Sequence, residues 1–192
     1  MEFNLIILGS LLILTFFSVG ESVLKFYGIK KNTVLFSLAL ITSGLFLPTV
    51  NILGYTFHLG YVLFPLVLSI LAFFKIKSFS KFLICFLISF FSAILFSLLK
   101  IENNALIVVA VFSLVIAITQ SLLHKNIFLA FSSVFLGMSI GNIISHYNKF
   151  EQISFFGNEQ IFSIILLSMI SFSLISFTFS KLSRKQKVAI KT

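Results

Sequence analysis

From Thr33 to Phe74 the chain contains no Asp, Glu, Lys or Arg. A run of that length without charge cannot clothe a water-soluble domain, in which about a quarter of residues are charged. It holds two apolar stretches, each near the roughly 20 residues that cross a bilayer as a helix, joined by the turn "PTVNILGYTFH". The pattern recurs along the chain, giving candidate spans at Phe3–Val19, Thr33–Val50, Leu59–Phe74, Phe82–Leu99, Ala105–Leu123, Ile127–Ser145 and Ile161–Phe179. Composition agrees: 59% of residues are hydrophobic, 10% are charged, and the mean hydropathy is +1.16. Seven spans of about 20 residues leave only short loops. The sequence therefore predicts an all-α integral membrane protein, a compact bundle of seven transmembrane helices. It forms one polytopic domain over residues 1–180 with a basic cytoplasmic tail over 181–192.

The charges orient this bundle. Lys25, Lys30 and Lys31 follow the first span, Lys75, Lys77 and Lys81 the third, and Lys125 the fifth, while Lys181, Arg184, Lys185, Lys187 and Lys191 form the tail. Only Lys100 and Lys149 fall on the opposite face. Basic loops stay cytoplasmic, so the N-terminus is expected outside and the C-terminus inside, in the cytoplasmic membrane of a prokaryote. Tyr27 at the inner boundary and Tyr55, Tyr61 and Tyr147 at the outer one fit the interfacial preference of amphipathic rings. The first span has no positive n-region and no small-residue cleavage site, so it reads as a retained anchor. The net charge of +9 is then an orientation signal that also touches anionic lipid, and no nucleic-acid partner is expected. The single cysteine, Cys85, cannot form an internal disulfide.

Few polar residues stand out. Pro65 lies within the third span and is expected to kink it by freeing the carbonyl one turn earlier. His58 falls at the outer boundary, and Asn142 and His146 share one face of the sixth span. These three form a candidate outward polar pocket, with Glu102, Glu151 and Glu159 near the same side; the bland alternative is a set of interfacial side chains. The hairpin from Pro48 to Pro65 is expected to approach the outer end of the sixth span. Ser133, Gly137, Gly141 and Ser145 recur every four residues on that span, a spacing that lets helix backbones approach closely. Ser89, Ala93 and Ser97 on the fourth span, and Ser113, Ala117 and Ser121 on the fifth, repeat it. Such stripes serve packing within one chain or a dimer face. Glu21 precedes Lys25 by four, the favourable order for a helical ion pair. Thr119 and Gln120 are expected to bond between helices.

The stretch "FHLGYVLFPLVLSIL" resembles a motif of a prokaryotic multi-spanning membrane family described only as domain of unknown function 1614. Gly60, Pro65, Leu68 and Ser69 match, while His58 and Tyr61 replace an asparagine and a glycine. "LGMSIGNIISHY" and "SFFGNEQIFSIILL" resemble two later segments of the family, through Gly137, Ile140, Gly141, Ser154 and Gly157. Ile143 and Phe162 stand where the family has aspartates. The resemblance implies a polytopic fold and no known activity.

Enzymatic chemistry is poorly served. There is no aspartate for a paired-carboxylate protease. "GMSIG" fits G-x-S-x-G in form only, because Ser139 falls inside a helical span rather than on a strand-to-helix elbow. No metal-binding spacing and no phosphate loop occur, so neither metal nor cofactor is expected. The reading is a small permease or transport component for a neutral or weakly polar solute. The alternative is a non-catalytic scaffold or assembly subunit binding partner helices, and an intramembrane enzyme comes third. Expected partners are the bilayer and a second copy or other membrane subunits.

Overall fold

The computed structural model describes residues 2–52, 55–99, 105–147, 154–156 and 159–189. The described residues form eight helices and three short strands. Each expected span contains a helix: α1 (Glu2–Phe16), α3 (Lys31–Gly44), α4 (Leu59–Phe73), α5 (Phe79–Leu98), α6 (Ala105–Leu123), α7 (Ile127–Tyr147) and α8 (Glu159–Ala189). A short helix, α2 (Glu21–Tyr27), joins α1 to α3. Four of the described helices, α5 to α8, are long and apolar enough to cross a membrane, or five spans if α1 and α2 count as one bent pair. Their outward faces are hydrocarbon: Leu87, Phe91 and Leu95 on α5 and Ile107, Val111 and Leu114 on α6 are all exposed. Apolar surface on that scale suits lipid contact, not water.

The remaining helices are shorter than the spans the sequence led us to expect. At 1.5 Å per residue, α1, α3 and α4 reach only about 21–23 Å, against a hydrocarbon core of about 30 Å. The first span stops at Phe16 because the backbone turns left-handed at Ser18 (φ 61°) and Gly20 (φ 82°). α2 then leaves at 88° to α1. Lys31 closes this corner: its ammonium donates to the Phe16 carbonyl at 2.7 Å and to Ser18 Oγ at 2.8 Å. A cation there meets the negative end of the α1 dipole. The expected ion pair between Lys25 and Glu21 forms on α2 at 2.9 Å, fully at the surface.

The second expected span is cut short at Gly44. Beyond it, the turn read from sequence as a loop between helices is a β-hairpin, β1 (Thr49–Ile52) paired antiparallel with β2 (Tyr55–His58), with Thr49 opposite His58. β3 (Ser154–Phe156) adds in parallel to β2. This sheet is an addition to the all-helical expectation. Pro48 excludes helix from the residue before it, and Thr, Val, Ile, Tyr and Phe favour extended backbone. Pro65 lies inside α4, which is helical on both sides of it, its ring fully buried. Helix α8 runs over 31 residues to Ala189, from the last expected span into the stretch expected as the basic tail. Its sequence there has no Gly or Pro to stop it and good helix formers to carry it.

Chain direction follows from the contacts. Lys31 at the start of α3 reaches Phe16 at the end of α1, so these two are antiparallel. α5 and α7 run parallel, because Gly137 meets Phe86 and Ser89 while Gly141, four residues on, meets Phe90 and Ala93. The main core joins α5 to α8 through Phe96, Ile116, Phe135, Met138 and Ile164. A second core of Leu8, Ile41, Leu45 and Phe162 ties α1 and α3 to α8.

Candidate functional site

The tightest helix pairing is built from small residues on both sides. A β-carbon at Gly137 would lie 2.6 Å from the Phe86 carbonyl oxygen and 2.8 Å from Ser89 Cβ. At Gly141 it would lie 2.5 Å from the Phe90 carbonyl oxygen and 2.9 Å from Ala93 Cβ. The stripe of α7 is therefore filled by the stripe of α5 within one chain. Ser133 is fully buried, and Ser145, half-buried at the other end, donates to the Asn142 carbonyl at 2.8 Å.

Two polar layers cross this seam. Gln120 of α6 donates through Nε2 to Ser89 Oγ of α5 at 3.2 Å, and its Oε1 accepts from Ser133 Oγ of α7 at 3.4 Å. One amide thus links three helices. Ser89 donates to the Cys85 carbonyl of its own helix, and Ser133 shares its one proton between Gln120 Oε1 and the Ala130 carbonyl, 3.1 Å away. Such bonds are how hydroxyls are carried in apolar helices. Nearer the far ends of α5 and α7, Ser97 Oγ lies 3.4 Å from Asn142 Oδ1. A third pair joins α1 to α8, where Ser163 Oγ donates to Asn4 Oδ1 at 2.8 Å, both buried.

Of the candidate pocket, Asn142 is buried at 4% exposure and faces α5. His58 ends β2, and His146 lies near the end of α7; the side chains of both, with Glu102, Glu151 and Glu159, lie outside the described residues. At the level of the backbone, β3 pairs with β2 and touches both α4 and α7. The β-hairpin and α7 thus share one small sheet as neighbour. Ser139, the serine of "GMSIG", sits within α7, with no elbow to expose it.

His124 was passed over in the sequence because it sits in a short connection beside a lysine. It is 8% exposed, its ring tilted 41° to that of Phe172 with the centroids 5.3 Å apart. Its Nδ1 accepts the Asn126 N–H at 3.2 Å, and Asn126 Oδ1 in turn accepts from Phe128 N–H at 2.9 Å, capping α7. Nε2 is buried with no hydrogen-bond partner among the described residues. Burial, aided by the Lys81 charge, holds the imidazole down at about 4, so it is neutral near pH 7. The spacing from Gln120, one helical turn earlier, was the available signal.

At the same lysine-rich end, a lateral cleft of about 320 Å³ opens between α3, α4 and α7. Its walls are almost wholly hydrocarbon, with Lys75 among the lining residues. Among the described residues no three His, Cys, Asp or Glu come together as a metal-binding set.

These features define a class: a helical bundle with four to five helices or bent pairs apolar enough to cross a membrane and, among the described residues, a hydrogen-bonded interior without buried Lys, Arg, Asp or Glu. Comparison with family models, curated proteins and solved structures finds no match.

Proposed function

We propose that the chain is a non-enzymatic protein of a prokaryotic cytoplasmic membrane, working as a small permease or transport component for a neutral or weakly polar solute. In this reading all seven helical segments span, with Met1 outside and Thr192 inside. The thinner ends around α1, α3 and α4 are met by local bilayer adjustment. The observation that carries the proposal is the chemistry of the interior. Asn4, Gln120 and Asn142 place amides between helices with serine hydroxyls among their partners, and the buried side chains among the described residues include no Lys, Arg, Asp or Glu. Amides and hydroxyls can exchange hydrogen bonds with a neutral solute, whereas ion- or proton-coupled transport calls for charge at depth. The outward pocket of His58, Asn142 and His146 is the proposed entry point.

The scaffold alternative draws on the same interior, whose polar groups already bond one another. The small-residue stripe of α7 is filled by α5, so partner helices would have to dock on outward faces. The family resemblance belongs to the proposal too; it implies no known activity, and Ile143 and Phe162 stand where that family has acids. The deciding experiment is solute-driven swelling of liposomes carrying the purified chain, across a panel of small polyols, amides and sugars. Faster re-swelling than empty liposomes for a subset of solutes supports the permease. Rates equal to empty liposomes across the panel would remove it and leave the scaffold.

A further inference from the structure

The cleft at the lysine-rich end suits a different ligand from the solute discussed above. Val34, Leu38 and Ile41 of α3, Leu71 of α4 and Phe131 of α7 form its walls. Polar atoms come only from Thr33, Ser37 and Lys75 among its lining side chains. Lys75 lies just past the end of α4 and is exposed. Its ammonium sits 4.7 Å from the centre of the Phe128 ring, another lining residue. Among the described residues no carboxylate pairs with it.

We propose that this cleft binds an anionic phospholipid, one acyl chain lying between α3, α4 and α7 and the headgroup phosphate resting on Lys75. A hydrated polar solute would lose water in such walls without regaining hydrogen bonds, whereas an acyl chain loses nothing there. The volume of about 320 Å³ stands at the small end of ligand pockets, roughly 300–1,000 Å³, which fits a single chain. Lysine beside apolar wall lays its stem along hydrocarbon and lifts its charge to headgroup level. The ammonium at the rim then complements a phosphate, on the face of the protein that also carries Lys30, Lys77 and Lys125. This site does not depend on the permease reading, since it lies at the other end of the bundle from the proposed solute entry and takes a charged amphiphile.

The test is native mass spectrometry of the full chain in mild detergent, titrated with phosphatidylglycerol or with phosphatidylcholine of the same chains. We expect one phosphatidylglycerol to bind in preference to phosphatidylcholine. Lys75→Gln should weaken that lipid about fivefold, the worth of one lysine near an anionic surface, and leave phosphatidylcholine unchanged. Lys77→Gln, on the same face but outside the cleft lining, should change neither. Ser37→Phe, filling the cleft from a half-buried position, should displace both lipids. Millimolar inorganic phosphate should not compete, because the chain contributes to binding; competition would mean an anion site without a chain site. Equal binding of the two lipids by the wild type, or a Lys75→Gln protein that binds like wild type, overturns the proposal even if Ser37→Phe fails to fold.

Discussion

Gly141 of α7 lies so close to Phe90 of α5 that a β-carbon on the glycine would come within 2.5 Å of the Phe90 carbonyl oxygen. The obstacle is backbone and cannot swing aside as a side-chain tip would. Gly137 stands in the same relation to Phe86 one turn earlier. Without a hydrophobic drive between helices in lipid, close dispersion contact is what holds such a pair. Gly137→Leu and Gly141→Leu should therefore each cost about 1–3 kcal/mol through overpacking. Gly9→Ala on α1, where nothing lies within 4 Å, should cost nothing. Unfolding in detergent compares the three. A Gly141→Leu protein as stable as wild type would mean the two stripes do not meet.

Gln120 offers a contrast in magnitude. Its amide links Ser89 and Ser133, yet both hydroxyls keep a backbone acceptor when the amide is removed. Interhelical hydrogen bonds in membranes average about 0.6 kcal/mol and reach about 1.7. Gln120→Leu should thus cost less than Gly141→Leu in the same unfolding assay. The reverse order would show that polar bonding, not close approach, organises the α5–α6–α7 seam.

How much of this was legible beforehand follows from the kind of signal each element left. Long apolar runs bounded by charge mark α5, α6 and α7 to within a few residues, because apolar length is the dominant constraint in a bilayer. The small-residue stripes were legible as stripes, but only their geometry shows that α5 and α7 fill each other. The corner at Ser18–Gly20 and the β-hairpin after Pro48 were missed. Both sit where apolar composition persists while backbone conformation changes, and hydropathy is blind to that change. The continuation of α8 to Ala189 was missed for the opposite reason, since charge marks the end of an apolar span and says nothing about where a helix stops. Asn142 is legible as a member of an outward polar pocket, whereas its burial and its contact with Ser97 follow only from the parallel packing of α5 and α7.

His124 predicts a pH dependence. Its folded value is lowered to about 4 from 6.5, burial being the main cause, so between those values the unfolded chain binds more protons. Stability from this group is fully present above pH 6.5 and is lost as pH falls toward 4. His124→Phe should flatten that decline, measured as the difference in unfolding free energy between variant and wild type from pH 7 to pH 4. Carboxylates common to both proteins cancel in the difference. A difference constant across that range would mean the imidazole is protonated in the fold.

The seven-span arrangement makes a topological prediction. Reporter fusions after Lys31, Lys77, Lys125 and Thr192 should all read cytoplasmic, since each follows an odd-numbered span from an external N-terminus. The shortness of α3 and α4, 14 and 15 residues, makes this pair the segment where the count of spans is decided. If α3 and α4 together form a re-entrant pair, Lys31 and Lys77 still share a side. A further fusion within the hairpin, at Asn51, separates the cases: external for two spans, cytoplasmic for a re-entrant pair.

The last prediction concerns the hairpin and α7. β2 ends at His58 and pairs with β3, which touches α7, and Asn142 and His146 lie one turn apart on that helix. If this end of the bundle forms the outward pocket, position 58 should approach 142 or 146 to within disulfide reach, Cα atoms about 4.4–6.8 Å apart. The paired substitutions His58→Cys with Asn142→Cys, and His58→Cys with His146→Cys, each made in a Cys85→Ala background, should yield at least one oxidised crosslink. Replacing buried Cys85 removes the competing thiol. Asn142 is held by Ser97, so the 146 pair leaves the seam intact and is the better probe. Folded protein that crosslinks through neither pair would reduce His58 to an interfacial side chain and move the proposed solute entry away from this hairpin.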